Sequence, residues 1–546
     1  VGNGKYFEED SMKRSAVLFL MLVLAASVFA SGGGQSSTGA AAAPAAAGFT
    51  DYSKGFPQRV TIQIPVYDRA FQGWNVTDNY WTRWIQKEFG DKYNINVQYV
   101  AIGRATEVQD YEQLLASHKA PSIIFHYDMP VAVNYYSEGV MQQLNWDEIA
   151  NYAPTFWNGT KDMIQRYGTI NNEKVFFFAQ RPEADSYTTL VRKDWVEKAG
   201  YKVEDLTSNE VFNQMLLKWR DLGLGVYGTP LIQNNFTFSY PFRDWPINDA
   251  ERTLYSELSV ADLTWAPAKA WLKDQNWKYN NNVMDKEFYL RNDEAKTKAE
   301  FVAGRTGNFG FYMASNTDVM SSLKANNPTA DVAVLPPGWN VPQGKVNQAR
   351  GYWPFGMIMG INYEATDQQR IAVWMFLEWM NQDANLFALQ NGVAGQNYNL
   401  LPSGLPDKVA SYNGESNLSP NSNKDYWCLI SEAARYPNQD MFWAANKALW
   451  APPGYESLVD NIITYYRAGA PYRTPDALFT VPLQAIAEYR ADLNVLFQEL
   501  YVKCVTCPEA QFEAVYADAC KTYLAAGYQA VLDEKQQVIA AGNYIK

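Results

Sequence analysis

Residues 59–102 read RVTIQIPVYDRAFQGWNVTDNYWTRWIQKEFGDKYNINVQYVAI, and their periodicity decides the fold class. Arg59–Pro65 and Ile95–Ile102 alternate in character and are rich in β-branched residues, the pattern of short strands. Between them Asp78–Phe89 opens on Asp78 as the expected N-cap and sets Tyr80, Trp81, Trp84, Ile85 and Phe89 at helical spacing. A strand, a helix and a strand in that order make a β-α-β unit. If the alternation continues, the fold is α/β, each lobe a mainly parallel sheet flanked by helices.

The alternation does continue. Thr106–His118 reads as a helix carrying Tyr111, Leu114 and Leu115, and Pro121–Phe125 as a buried strand. Lys174–Ala179 and Thr188–Val191 read as strands flanking Gln180–Tyr187, where the chain is expected to cross between lobes. Lys193–Lys198 begins a helical stretch. Phe301–Met313 joins a helix end to a glycine-rich strand, Val332–Leu335 is another strand, and Phe355–Ile361 is an apolar strand interrupted by glycine. Asp367–Leu389 reads as one long helix, and Pro482–Cys504 with Glu509–Leu532 as a terminal αα-hairpin. Ligands on such sheets collect at the carboxyl ends of strands, which points to the loops Val66–Trp74 and His126–Met129.

Composition narrows the class. The chain has 546 residues, more than one core organises, so two lobes are expected. A net charge of −12 makes an anionic polymer such as nucleic acid a poor partner. The 18 Trp and 36 Tyr combine apolar faces with polar handles and suit ligands that are part apolar and part hydroxylated, although most such rings serve packing.

Met12–Ala30 has a basic start, an apolar run and a small-residue exit, the form of a cleavable secretion signal. The apolar run is shorter than the roughly 20 residues that span a bilayer. The mature chain is expected to begin near Ser31, in the periplasm or outside the cell. Because Ser31 and not Cys stands at the exit, no lipid anchor is expected. Residues 1–11 read as a misassigned start. Ser31–Gly48 is a Gly/Ser/Ala tract, and 31–56 is expected to be a flexible linker.

The four cysteines, Cys428, Cys504, Cys507 and Cys520, build no metal motif. In an oxidising compartment the expected pairing is Cys504 with Cys507, since Cys520 reads as out of helical register with Cys504. His118 and His126 are the only histidines, without metal-ligand spacing, and no nucleophile elbow, phosphate loop or dinucleotide fingerprint is found. No metal or cofactor is expected.

The order of segments resembles the extracellular family 1 solute-binding proteins, the maltose-binding type that feeds ABC importers, and within it the large oligosaccharide lipoproteins. The stretches that carry the resemblance are Tyr80–Val100, LLASHKAPSIIF at 114–125, FVAGRT at 301–306, VAVLP at 332–336 and NGVAGQNY at 391–398. Two departures are Ser122, where the family usually has Asp, and the missing lipoprotein cysteine. The resemblance implies a periplasmic-binding-protein-like fold with its ligand cleft between two lobes, a carbohydrate ligand, delivery to permease subunits of an ABC transporter, no catalysis, and a monomer. It divides the chain into lobe 1 at 57–180, lobe 2 at 181–354, a return to lobe 1 at 355–400, and a C-terminal helical region at 401–546 completing lobe 2.

A sugar site needs flat apolar faces for the C–H side of each ring and planar donors or acceptors for its hydroxyls. Tyr67 and Trp74 after the first strand, and Tyr127 and Asp128 after the third, are candidates on one side. Arg181 and Tyr187 lie at the crossing. Asn308 and Tyr312 come from the opposite lobe, and Tyr352 and Trp353 lead back. Each has a plainer reading, as loop packing for Trp74 or as hinge-side salt bridging for Arg181. Two alternatives stay open: a secreted glycoside hydrolase using an acid pair such as Glu183 and Asp185, and a peptide receptor of the same fold.

Overall fold

The computed structural model describes residues 48–545 except position 105 and the segments 182–186, 229–241, 244–248, 256–259, 291–293, 313–315, 346, 349–352, 420–422, 451–453 and 474–476. The expected leader and most of the linker fall outside the described residues, as do Glu183, Asp185 and Tyr352.

The β-α-β unit is present. β1 (Val60–Asp68) turns Val60, Ile62 and Ile64 inward, α1 (Tyr80–Ile85) crosses over, and β2 (Ile95–Gly103) returns parallel, from Val60 opposite Ile95 to Asp68 opposite Gly103. Trp81, Ile85 and Phe89 are fully buried, as their spacing requires. The cap is Asn79, not Asp78: the Asn79 side chain accepts from Trp81 N and Thr82 N, and the Thr82 hydroxyl accepts from Asn79 N. Asn79 is the residue in extended backbone, which leaves Asp78 one position outside, paired with Arg83.

The chain continues through α2 (Glu107–Ala116), β3 (Ile123–His126), α3 (Met129–Ser137), β4 (Phe177–Gln180), β5 (Tyr187–Arg192), α4 (Asn209–Asp221), α5 (Ala266–Asn280), β6 (Asn308–Tyr312), β7 (Val332–Val334) and β8 (Phe355–Ile361). Then come α6 (Asp367–Asn381), α7 (Asp383–Asn391), α8 (Gln484–Thr506) and α9 (Phe512–Tyr523). The expected single helix over 367–389 is broken at Gln382, whose ψ of 133° is extended.

The ladders are not mainly parallel. β8 lies antiparallel between β3 and β4, and β5 lies antiparallel between β7 and β6. The partners come from segments far apart in sequence, so no crossover helix dictates a parallel direction. Ser122 joins β3 to β1: its N–H donates to Gln63 O at 2.7 Å, and its hydroxyl accepts from Gln63 N at 3.1 Å. All seven residues of β8 are buried. Gly360 leaves room there for the Met141 side chain, whose Sδ would stand 2.3 Å from a Cβ at that position.

The first core unites β1, β2, β3, β4, β8 and α6. Three further cores lie elsewhere. The alternation of β5 sends Leu190 to one, with Phe309 of β6 and Val332 of β7, and Val191 to another, with Phe212 and Trp219 of α4. The last packs α5 against the α8/α9 hairpin, with Trp271 stacked on Tyr501 at 5.3 Å. Among the described residues no helix is long and apolar enough to cross a membrane.

Three expectations are corrected. The region 401–546 does not belong to one body, since Tyr426, Trp427, Cys428, Leu429 and Ile430 pack into the first core. The linker does not extend to residue 56, since Phe56 is buried, stacked on Tyr52 at 4.2 Å, and bonded through its N–H to Tyr93 O. Cys504 and Cys507 are free thiols. Cys504 lies in the last turn of α8 while Cys507 is its C-cap in extended backbone, and Cys507 Sγ donates to Cys504 O at 3.2 Å rather than meeting its sulfur.

Candidate functional site

A cavity of about 80 Å³ forms where the loop after β3, the entry to β8 and the first turns of α8 converge. Most of its wall is aliphatic and aromatic, including Phe355, Leu478 and Ile486, and its polar or amphipathic members are Tyr127, Asp128, Asn134, Trp353 and Arg490. It lies beyond the carboxyl end of β3, where a strand sheds its backbone partners and leaves a crevice. The loop after β1 takes no part in it.

Trp353 is half-buried and held on two sides. Its ring stacks on Phe355 at 6.0 Å and meets the edge of Tyr167 at 5.4 Å. A ring fixed in this way lines the cavity and loses little rotamer freedom on binding. Tyr127 is braced by the Arg104 guanidinium, 5.3 Å from its ring centre and 5.1 Å from that of Tyr67. Trp353, Tyr127 and Asp128 are thus brought together by the fold.

The remaining candidates go elsewhere. Tyr67 is 1% exposed and belongs to the first core, its hydroxyl donating to Glu107 Oε2. Trp74 packs half-buried against the same core, away from the cavity wall. Arg181 pairs with Glu432, and its N–H donates to Pro354 O at 3.0 Å, so it ties the end of β4 to the entry of β8. Asn308 is buried in the other lobe, its side chain accepting from Gly228 N at 2.8 Å and donating to Gly228 O at 3.1 Å. Tyr187 and Tyr312 face each other across the β5/β6 ladder, and their side chains lie outside the described residues, as does Tyr352.

Behind the cavity wall is a buried polar group set. Burial pushes the Glu107 carboxyl up to about 7. Burial also drives His126 down to about 4, so its ring is neutral at pH 7, with Nδ1 accepting from Asp128 N at 2.8 Å. His126 Nε2 stands 4.0 Å from Glu107 Oε2. The hydrogen bond from Asp128 N to His126 Nδ1 sets the turn that carries Tyr127 and Asp128 into the cavity.

Arg490 and Asn134 were not among the sequence candidates. Arg490 stands more than 350 residues from Tyr127 on a helix whose apolar pattern gives it no distinction, and Pro482, just before that helix, was the only local signal. A wider depression of about 760 Å³ on the outer side of the α8/α9 hairpin is open surface, and its Lys269 and Glu513 are already ion-paired. Among the described residues no cluster of three His, Cys, Asp or Glu is placed to hold a metal ion.

No protein-family model matches the sequence, and no curated protein matches it. Solved structures do match in fold. The alginate-binding protein AlgQ2, solved without calcium ion, aligns with a TM-score of 0.60 at 14% identity, over 90% of this chain and 99% of that one. An extracellular solute-binding protein from Bifidobacterium longum subsp. infantis aligns with a TM-score of 0.60 at 12% identity, over 89% and 99%. The S. pneumoniae ABC-transporter substrate binding protein FusA, in complex with kestose, aligns with a TM-score of 0.57 at 13% identity, over 87% and 98%. The chain has the two-lobe α/β fold of the extracellular solute-binding proteins.

Proposed function

We propose that the chain is an extracytoplasmic receptor that binds a carbohydrate, of oligosaccharide length, between its lobes and delivers it to the permease of an ABC importer. The observation that carries this reading is the fixed Trp353 ring facing a cavity that also holds Tyr127, Asp128 and Asn134, in a fold shared with alginate-binding and kestose-bound proteins. An aromatic face for the C–H side of a sugar ring and short polar groups for its hydroxyls are what such a ligand needs. The small cavity takes part of the ligand, and the rest extends along the cleft. Lobe 1 comprises 57–180, 355–400 and the stretch around 426–430, and lobe 2 comprises 181–354 with the C-terminal helices. Met12–Ala30 directs export, and the receptor acts as a monomer.

Hydrolysis is the weaker reading, because glycosidic cleavage uses two carboxyl groups across the bond and Asp128 is the one carboxylate among the described lining residues. The test is a thermal-shift screen with oligosaccharides and peptides, followed by calorimetry and product analysis. Stabilisation by saccharides with the ligand recovered intact supports the receptor. Stabilisation by peptides alone, or steady release of shorter sugars, overturns it.

A further inference from the structure

Arg490 lies on the second turn of α8, half-buried, and faces the cavity. Among the described residues its guanidinium has no hydrogen bond and no ion pair. Its titratable neighbours do not neutralise it: His126 is uncharged at pH 7, and burial raises the Tyr135 hydroxyl. Asp128 shares the cavity but is not in ion-pair contact with Arg490. Its carboxylate is exposed to water at the N-cap of α3, where the helix's positive end steadies it. Arg490 has no such support, since a cation near the start of a helix meets the same positive end. A guanidinium that shares the cavity wall with Phe479, Leu483 and Ile486 and has no protein partner among the described residues is open to an anion that enters the cavity.

We propose that Arg490 selects saccharides bearing an anionic group, a uronate carboxylate or a sulfate ester, and binds that group while Trp353 covers the sugar ring; this rests on the carbohydrate-receptor reading. The planar fork of a guanidinium matches two oxygens of a carboxylate or a sulfate at once, a geometry that a neutral hydroxyl does not offer. Asp128 and Asn134 then take hydroxyl groups of the same or the next ring.

The test is calorimetry of the full chain with di- and trisaccharides of hexuronic acid, the same oligosaccharides built from neutral hexoses, and sulfated counterparts. The anionic forms are expected to bind about tenfold to a hundredfold more tightly than the neutral ones. Whether uronate or sulfate binds tighter identifies the source of the charge. Raising the salt should weaken the anionic ligands alone. Arg490→Gln should erase the preference, lowering the affinity for anionic saccharides far more than that for neutral ones, and Arg490→Lys should retain part of it. Equal affinity for neutral and anionic saccharides overturns this proposal but leaves the receptor standing. Binding of no saccharide at all overturns the receptor reading itself, and tight binding of zwitterionic peptides instead assigns Arg490 and Asp128 to a carboxylate and an ammonium group.

Discussion

The Tyr67 hydroxyl donates a 2.9 Å hydrogen bond to Glu107 Oε2 within the first core, while the other carboxyl oxygen, Oε1, is buried without a partner among the described residues. Burial penalises the charged form of this carboxyl by more than the Arg104 guanidinium, 3.3 Å from Oε2, and the Tyr67 hydroxyl favour it, so the pKa rises to about 7. His126, at 4.0 Å, is displaced the opposite way, to about 4.

These two groups oppose each other in the pH dependence of stability. Glu107, raised from 4.5, contributes stability that is complete below pH 4.5 and lost as pH rises through 7. His126, lowered from 6.5, contributes stability that is complete above 6.5 and lost as pH falls through 4. Glu107→Gln removes the first and leaves the second, so between pH 4.5 and 7.5 the variant should gain about 3 kcal/mol relative to wild type. Denaturant melts across that range measure it, and parallel curves for the two proteins would refute the assignment.

Trp353→Ala should lower saccharide affinity by about tenfold to a hundredfold, the worth of roughly 1–3 kcal/mol of ring burial at the site. The ring stands at the cavity edge on Phe355 and Tyr167 rather than inside the core, so the melting temperature should fall little. Calorimetry and a thermal melt on the same preparation separate the two effects. Unchanged affinity in a folded variant would move the binding surface elsewhere.

Asn308→Ala should behave in the reverse manner. It strips two hydrogen bonds from the Gly228 backbone in a buried site and is expected to cost about 1–3 kcal/mol of stability. Ligand affinity of the folded fraction should stay at the wild-type value. A selective loss of affinity would return Asn308 to the binding surface.

Arg69 forms a two-pronged ion pair with Asp425, both bonds at 2.9 Å, tying the end of β1 to the segment that inserts Tyr426–Ile430 into the first core. Lysine keeps the charge but not the fork, so Arg69→Lys should cost about 1 kcal/mol and Arg69→Ala more. Urea unfolding gives the order, and equal losses would show that charge alone matters.

How much of this was legible beforehand varies with the range of the interaction. Alternation in Arg59–Pro65 and helical spacing from Tyr80 to Phe89 report which side of an element is apolar, and that suffices for the β-α-β unit and for most later elements. Trp353 and Tyr127 were legible as candidates because each follows or precedes a strand at a predictable end, and both line the cavity. The antiparallel setting of β8, the inward turn of Tyr67 towards Glu107, and the arrival of Arg490 at the same cavity as Tyr127 were not. Periodicity is a local property that says a face must be buried without naming what buries it. The partners of Tyr67 and Asn308 lie 40 and 80 residues away, Arg490 shares its cavity with a loop more than 350 residues away, and only the packed chain decides whether such a side chain meets a hydrogen-bond partner, a backbone or an open cavity.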